Sequence, residues 1–231
     1  MVVGKYASFT PESLAFLSEL RNNNNRDWFN ENKGRYEEHV LDVALRFIQS
    51  MHDPLADIAP HFTAIPKRMG GSLMRVYRDT RFSKNKTPYK TNIGIQFRHE
   101  QARDVHAPGY YVHIDPDDVF LGAGMWRPES DALKGIRVRI SDKPMEWMRA
   151  RDDKTFKRNF KLGGETLTRP PRGFDKDHLQ IEDIKRKDFI AIKNMTPDDV
   201  LNARFQQKVE AAFRAAAPYM EFLCKAVKVP F

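Results

Sequence analysis

The chain has almost no cysteine. Its one thiol, Cys224, excludes an internal disulfide and a cysteine-rich zinc site. Cys224 lies in the apolar segment from Tyr219 to Val227 and reads as a core thiol. No window approaches the roughly 20 apolar residues that cross a bilayer, so no membrane partner is expected. The opening Met1 to Tyr6 has neither a long apolar stretch nor a small-residue cleavage site, so no signal peptide is expected. A reducing, cytoplasmic setting follows as the expectation. There is no P-loop and no Gly-x-Ser-x-Gly elbow. The histidines (His39, His52, His61, His99, His106, His113 and His178) form no His-x-x-x-His pair, so no metal site is expected. No motif names a cofactor. Gly122 and Gly124 lack the third glycine of a dinucleotide loop and read as a change of direction or a close backbone approach.

What the chain does have is a concentrated basic stretch. Arg75 to Lys90 carries Arg75, Arg78, Arg81, Lys84, Lys86 and Lys90 against one acid, Asp79. That is +5 of a formal net charge of +8, placed in sixteen residues. Cations packed so densely repel one another, so the stretch points to something anionic that meets it. Tyr77, Phe82 and Tyr89 stand between the charges, which sets the stretch apart from a merely solubilising patch.

Period-two alternation puts Arg75, Tyr77, Asp79 and Arg81 on one face of an extended chain. The spacing predicts a strand from Leu73 to Arg78, a loop, and a second strand from Thr91 to Arg98. Pro88 holds Thr87 extended as the chain leaves the loop. Two roles are open to Asp79: orienting the neighbouring guanidinium groups, or serving as a general base or metal ligand with a depressed pKa. His113 and Asp115 share a face of a predicted strand and form the other candidate acid–base pair. Ser83 reads as a loop hydroxyl bonding its own backbone.

The motif Arg75-x-x-Arg78-Asp79-x-Arg81-Phe82-Ser83-x-x-Lys86-x-Pro88-Tyr89-Lys90 resembles the signature of an uncharacterised, mostly bacterial family, domain of unknown function 2461. The resemblance extends upstream through Phe16, Leu20, Asn23, Asn24, Trp28, Phe29 and Tyr36. Downstream it takes in Gly109 to Ile114, Gly122 to Met125 and Pro171 to Phe174. It implies one domain of about this length, residues 1–231, and brings no activity with it.

The remaining pattern predicts an α+β fold with a mainly antiparallel sheet and helical N- and C-terminal segments. Thr10 and Pro11 start a helix that the asparagines 22–25 end. A helical run from Arg26 to Met51 follows, with Gly34 as a possible divide and Trp28 and Phe29 as core residues. Tyr110 to Asp115 and Val119 to Leu121 read as a hairpin turned by Pro116, Asp117 and Asp118. One helix is expected from Thr196 to about Ala217, ended by Pro218.

The expected function is anion binding, with a phosphate-bearing ligand held by Arg75, Arg78, Arg81, Lys84, Lys86, Tyr89 and Lys90. Two alternatives stay open. One is an enzyme on a phosphorylated or carboxylated small molecule, with Asp79 or His113 in proton transfer. The other is a nucleic-acid-binding module that uses phosphate contacts and stacking. A concave pocket favours the small molecule, and an open extended surface favours nucleic acid.

Overall fold

The structure is a computed structural model that describes residues 9–101 and 107–231. The readings of Met1 to Tyr6 and of His106 lie outside the described residues.

Pro11 opens helix α1 (Pro11–Asn22), where a first-turn N–H would have no helical partner anyway. The Ser13 hydroxyl accepts from the Thr10 N–H (3.3 Å) and donates to the His39 carbonyl (2.6 Å). That buried hydroxyl ties α1 to the helical run that follows. The run comprises α2 (Arg26–Glu31), α3 (Lys33–Tyr36), a π-helical turn (Glu37–Leu41), α4 (Asp42–Ser50) and α5 (His52–Ile58). The expected divide at Gly34 falls instead at Asn32. The Asn32 amide donates to the Trp28 carbonyl at 2.9 Å, and such local bonding competes with helix propagation. Phe29 is buried in the core and Trp28 packs against it, as expected.

Among the described residues six strands follow: β1 (Phe62–Thr63), β2 (Ile93–His99), β3 (Gly109–Ile114), β4 (Val119–Met125), β5 (Lys161–Gly163) and β6 (Phe189–Met195). They form one antiparallel sheet in the order β1-β2-β3-β4-β6-β5. The β3–β4 hairpin matches the sequence reading. The expected change of direction at Gly122 to Gly124 does not occur, because β4 continues through both glycines and pairs with β6. Gly124 does make a close approach. Its φ is +129°, and a Cβ there would lie 2.0 Å from the Phe189 carbonyl oxygen.

The other helices are α6 (Ser130–Asp142), α7 (Pro144–Arg151), α8 (Lys154–Asn159), α9 (Ile181–Ile184), α10 (Pro197–Leu201) and α11 (Phe205–Ala226). The single helix expected after Thr196 is two. At Asn202 the chain is extended, and its carbonyl and side-chain oxygens accept from the Phe205 and Arg204 N–H groups. Pro218 does not end α11. It sits on the exposed side, where water can satisfy the carbonyl that its missing N–H leaves free.

Alternation fixes the two faces of the sheet. Ile95, Phe97, Tyr110, Val112, Leu121, Ala123 and Ala191 point to one side and are buried. Phe213 of α11 packs there, its ring centroid 4.6 Å from Tyr110 and 5.9 Å from Phe97. At the other end of α11, Tyr219 and Phe222 meet Trp147 of α7. The Trp147 N–H donates at 2.7 Å to buried Asp183, which Arg186 and Arg151 neutralise. Gln96, Tyr111, His113, Phe120, Ile190 and Ile192 point to the opposite side and are only half-buried. The sheet therefore has a helix-covered face and an open one.

Phe213→Ala should destabilise the protein by about 3–5 kcal/mol, the usual cost of emptying a fully buried phenyl site. Urea unfolding followed by circular dichroism measures it. A change under about 1 kcal/mol would show that α11 does not hold the sheet.

Candidate functional site

The basic segment joins the edge of the sheet through a broken antiparallel pairing. Leu73 bridges Ile95, and Tyr77 bridges Tyr89. Between the two bridges the first side advances four residues and the second six, so the ladder cannot be regular. The expected strand from Leu73 to Arg78 is therefore an irregular edge held by single bonds. The Arg78 N–H donates to the Pro88 carbonyl (2.9 Å), and the Lys90 N–H donates to the Val76 carbonyl (2.7 Å). The second strand begins at Ile93 rather than Thr91. Asn24 completes the anchorage. Its side-chain amide donates to the Tyr89 carbonyl and its oxygen accepts from the Tyr89 N–H, both at 3.0 Å.

Alternation survives along the irregular edge and decides where the cations go. Arg75, Tyr77, Asp79 and Arg81 are exposed on one face, as expected. Arg78 lies between them and points the other way. It lines a concavity of about 380 Å³ together with Lys90, Asn24, Thr87, Tyr89 and Asn92. Arg21 closes one side of it, held by Asp115 at 2.6 Å and by Asp117. Those two carboxylates more than offset the charge of Arg21. Arg78 donates to the Thr87 hydroxyl. Neither Arg78 nor Lys90 has a carboxylate partner among the described residues. The Lys90 ammonium is pushed below its ordinary pKa, first by burial and then by the charge of Arg75.

The rest of the basic stretch does not converge there. Arg81 forks onto Asp79 with bonds of 3.0 and 2.7 Å, and its own N–H adds a third at 3.2 Å. These bonds hold the Asp79 carboxyl at about 2, well below the usual carboxylate range. A carboxylate so engaged is a poor proton acceptor near neutrality. Its geometry is that of an orienting group, for one arginine rather than two. Lys86 donates to the Thr80 carbonyl at 2.9 Å, and Lys84 is exposed. Tyr89 is no open stacking platform. It is 3% exposed, with its ring stacked on Phe29 at 4.0 Å and flanked by Tyr77.

His113 lies on the open face of the sheet, parallel to the Phe120 ring at a centroid distance of 4.6 Å. Its Nδ1 is 3.1 Å from the Tyr111 hydroxyl and 3.5 Å from the Asn92 amide. Burial lowers its pKa, and the charges of Asp118 and Asp115 partly oppose that. Asp115 is engaged by Arg21 instead of by His113. Beyond Tyr111 the open face holds a second cavity of about 370 Å³, whose lining is apolar apart from Gln96 and the Tyr111 hydroxyl. Among the described residues no three His, Cys, Asp or Glu side chains group as a metal site would need.

Sequence reasoning finds Arg78, Tyr89 and Lys90 in the pocket and misses Arg21, Asn24, Thr87 and Asn92. Asn24 reads as a helix breaker in sequence, and its partner is 65 residues away. The available signal is its chemistry, since only an amide side chain can mirror both bonds of a backbone pair.

These elements define an α+β protein with a cation-lined pocket where the sheet edge meets its open face. The chain belongs to the family described as conserved hypothetical protein (DUF2461), whose model matches residues 12–222. No curated protein matches it.

Removing the Asn24 clasp should loosen the edge. Asn24→Ala should cost about 1–3 kcal/mol by leaving Tyr89 backbone groups unpaired, and should speed exchange of the Tyr89 amide in hydrogen-exchange NMR. Unchanged exchange at that amide would show that the clasp is not what holds the basic segment.

Proposed function

We propose that the protein binds a small anionic ligand, phosphate-bearing or carboxylated, between Arg78 and Lys90. One observation carries the reading. Two cations without carboxylate partners among the described residues line the same concavity, and both are half-buried. A desolvated ammonium is costly until an anion arrives to meet it. A guanidinium offers two parallel donors to phosphate or carboxylate oxygens. Asn85, Thr91 and Asn92 add neutral polar residues to the same lining. The concavity itself favours a small molecule over a polymer. If the ligand is turned over, His113 is the group suited to accept a proton, because burial keeps its imidazole neutral near pH 7.

Isothermal titration with sulfate tests the reading, because sulfate keeps its charge across the alkaline range. Arg78→Ala should weaken binding by about tenfold or more, the loss of a charge-assisted pair. The Lys90 pKa is lowered, so the ammonium loses its proton at a lower pH than an ordinary lysine, whose pKa is about 10.4. Deprotonation removes the attracting charge. Sulfate affinity should therefore fall as pH rises through a range below that ordinary value, and Lys90→Arg should abolish the fall. Sulfate binding that ignores Arg78 contradicts the proposal.

The outer loop favours a second reading as a nucleic-acid surface. Phe82 is 96% exposed, with the Arg81 guanidinium 5.9 Å from its ring centroid and Lys84 and Lys86 nearby in the chain. An exposed ring among cations is what stacking on a base needs. Phe82, not Tyr89, is then the stacking residue. Binding of a single-stranded oligonucleotide, read by fluorescence anisotropy, should follow a log–log salt slope of about −2 for three phosphate contacts. It should weaken in Phe82→Ala. No binding at low salt removes this reading.

A further inference from the structure

The glycines of the open face have different causes. Gly124 is required by its own backbone, as its positive φ and its contact with the Phe189 carbonyl show. Gly122 is not. A Cβ there would meet nothing closer than the Tyr111 Cβ at 3.4 Å, and its φ lies in the ordinary range. A glycine in the middle of a central strand weakens that strand. Where no internal contact demands it, such a glycine leaves room for a ligand to approach the backbone closely. Gly122 lies on the floor of the apolar cavity of about 370 Å³, beside Gly109 and Gly124. Tyr111, Phe120, Met74 and Trp126 rise around that floor, and Trp126 is 48% exposed.

This cavity neighbours the cation-lined pocket, and a row of side chains in contact lies between them. Asn92 lines the pocket and reaches His113, His113 meets the Tyr111 hydroxyl, and Tyr111 lines the cavity. Along the extended chain, Asn92 and Gln96 are separated by about 13 Å at the usual strand rise. One end of this face is cationic and the other is apolar. A nucleobase would leave several polar groups unpaired in a cavity that offers little beyond Gln96.

We propose that the ligand is an amphipathic anion. Its phosphate or carboxylate head occupies the Arg78–Lys90 pocket. Its apolar tail crosses the Tyr111–His113 pair and lies over Gly122 between Trp126, Phe120 and Met74. This inference rests on the head-group reading above and extends it to the tail.

A chain-length series tests it on the whole protein. Inorganic phosphate, butyl phosphate and decyl phosphate, each kept monomeric, are titrated by calorimetry at one pH. Affinity should rise by about fourfold for each methylene that reaches the cavity, the factor expected from burying one CH₂. Gly122→Leu should flatten the rise and leave inorganic phosphate binding as it was. Trp126→Ala, a change at an exposed side chain, should also lower decyl phosphate affinity if Gly122→Leu fails to fold. Arg78→Ala should weaken all three ligands together. Equal affinity for the three phosphates in the unmutated protein would overturn the tail site and leave the head site standing. Absence of inorganic and butyl phosphate binding, or indifference of all three ligands to Arg78→Ala, would overturn the head-group reading itself. A chain-length effect that survives both cavity variants would also overturn the assignment.

Discussion

Side-chain alternation along β2, β3, β4 and β6 gives the sheet two unlike faces. Every second residue goes under α11, where Phe213, Tyr219 and Phe222 lie against the sheet and α7. The intervening residues emerge on a side that no long helix among the described residues covers. A sheet packed by helices on one side only must leave its other face to solvent or to a ligand. Gln96, Tyr111, His113 and Phe120 are placed on that face by the same register that buries their neighbours. A one-residue slip in β3 would exchange the two sets.

The basic segment meets this frame at its weakest edge. Past the short β1 pairing, the ladder beside β2 is reduced to isolated bridges, and Asn24 supplies two bonds to the Tyr89 backbone. Irregularity is also what makes the pocket. A continuous hairpin would keep its two sides level and leave no concavity between Arg78 and Lys90. The period-two rule then sorts the cations. It turns Arg78 inward and sends Arg75 and Arg81 outward, where Asp79 captures Arg81. High charge in the sequence becomes two separate surfaces, a small pocket where Arg78 and Lys90 have no carboxylate partner among the described residues and an exposed loop that carries Phe82.

Local physics explains what was legible in the sequence. The β3–β4 hairpin is written in consecutive alternation and in a turn at Pro116, Asp117 and Asp118. Thr10 and Pro11 likewise announce α1 from within one turn. The basic stretch announces itself through charge density, but its charge cannot say which cations share a pocket. That depends on a slip in pairing between Leu73 and Tyr89 that no residue pattern marks. Pro218 misleads because its cost depends on which side of α11 faces water. Gly124 misleads because a strand with a close neighbour and a turn both call for glycine, and Gly122 misleads by standing two residues from it. Asn24 and Arg21 enter the site through contacts between distant segments, so their spacing carries no signal.

The central claim is that Arg78 and Lys90 form an anion site at the junction of sheet edge and open face. A crystal structure grown with a monomeric alkyl phosphate tests it most directly. The account predicts phosphate density within hydrogen-bonding distance of the Arg78 guanidinium and the Lys90 ammonium, with the chain running toward Gly122. Density found only on the outer loop at Arg81, Lys84 and Lys86, with the pocket filled by water, would contradict it.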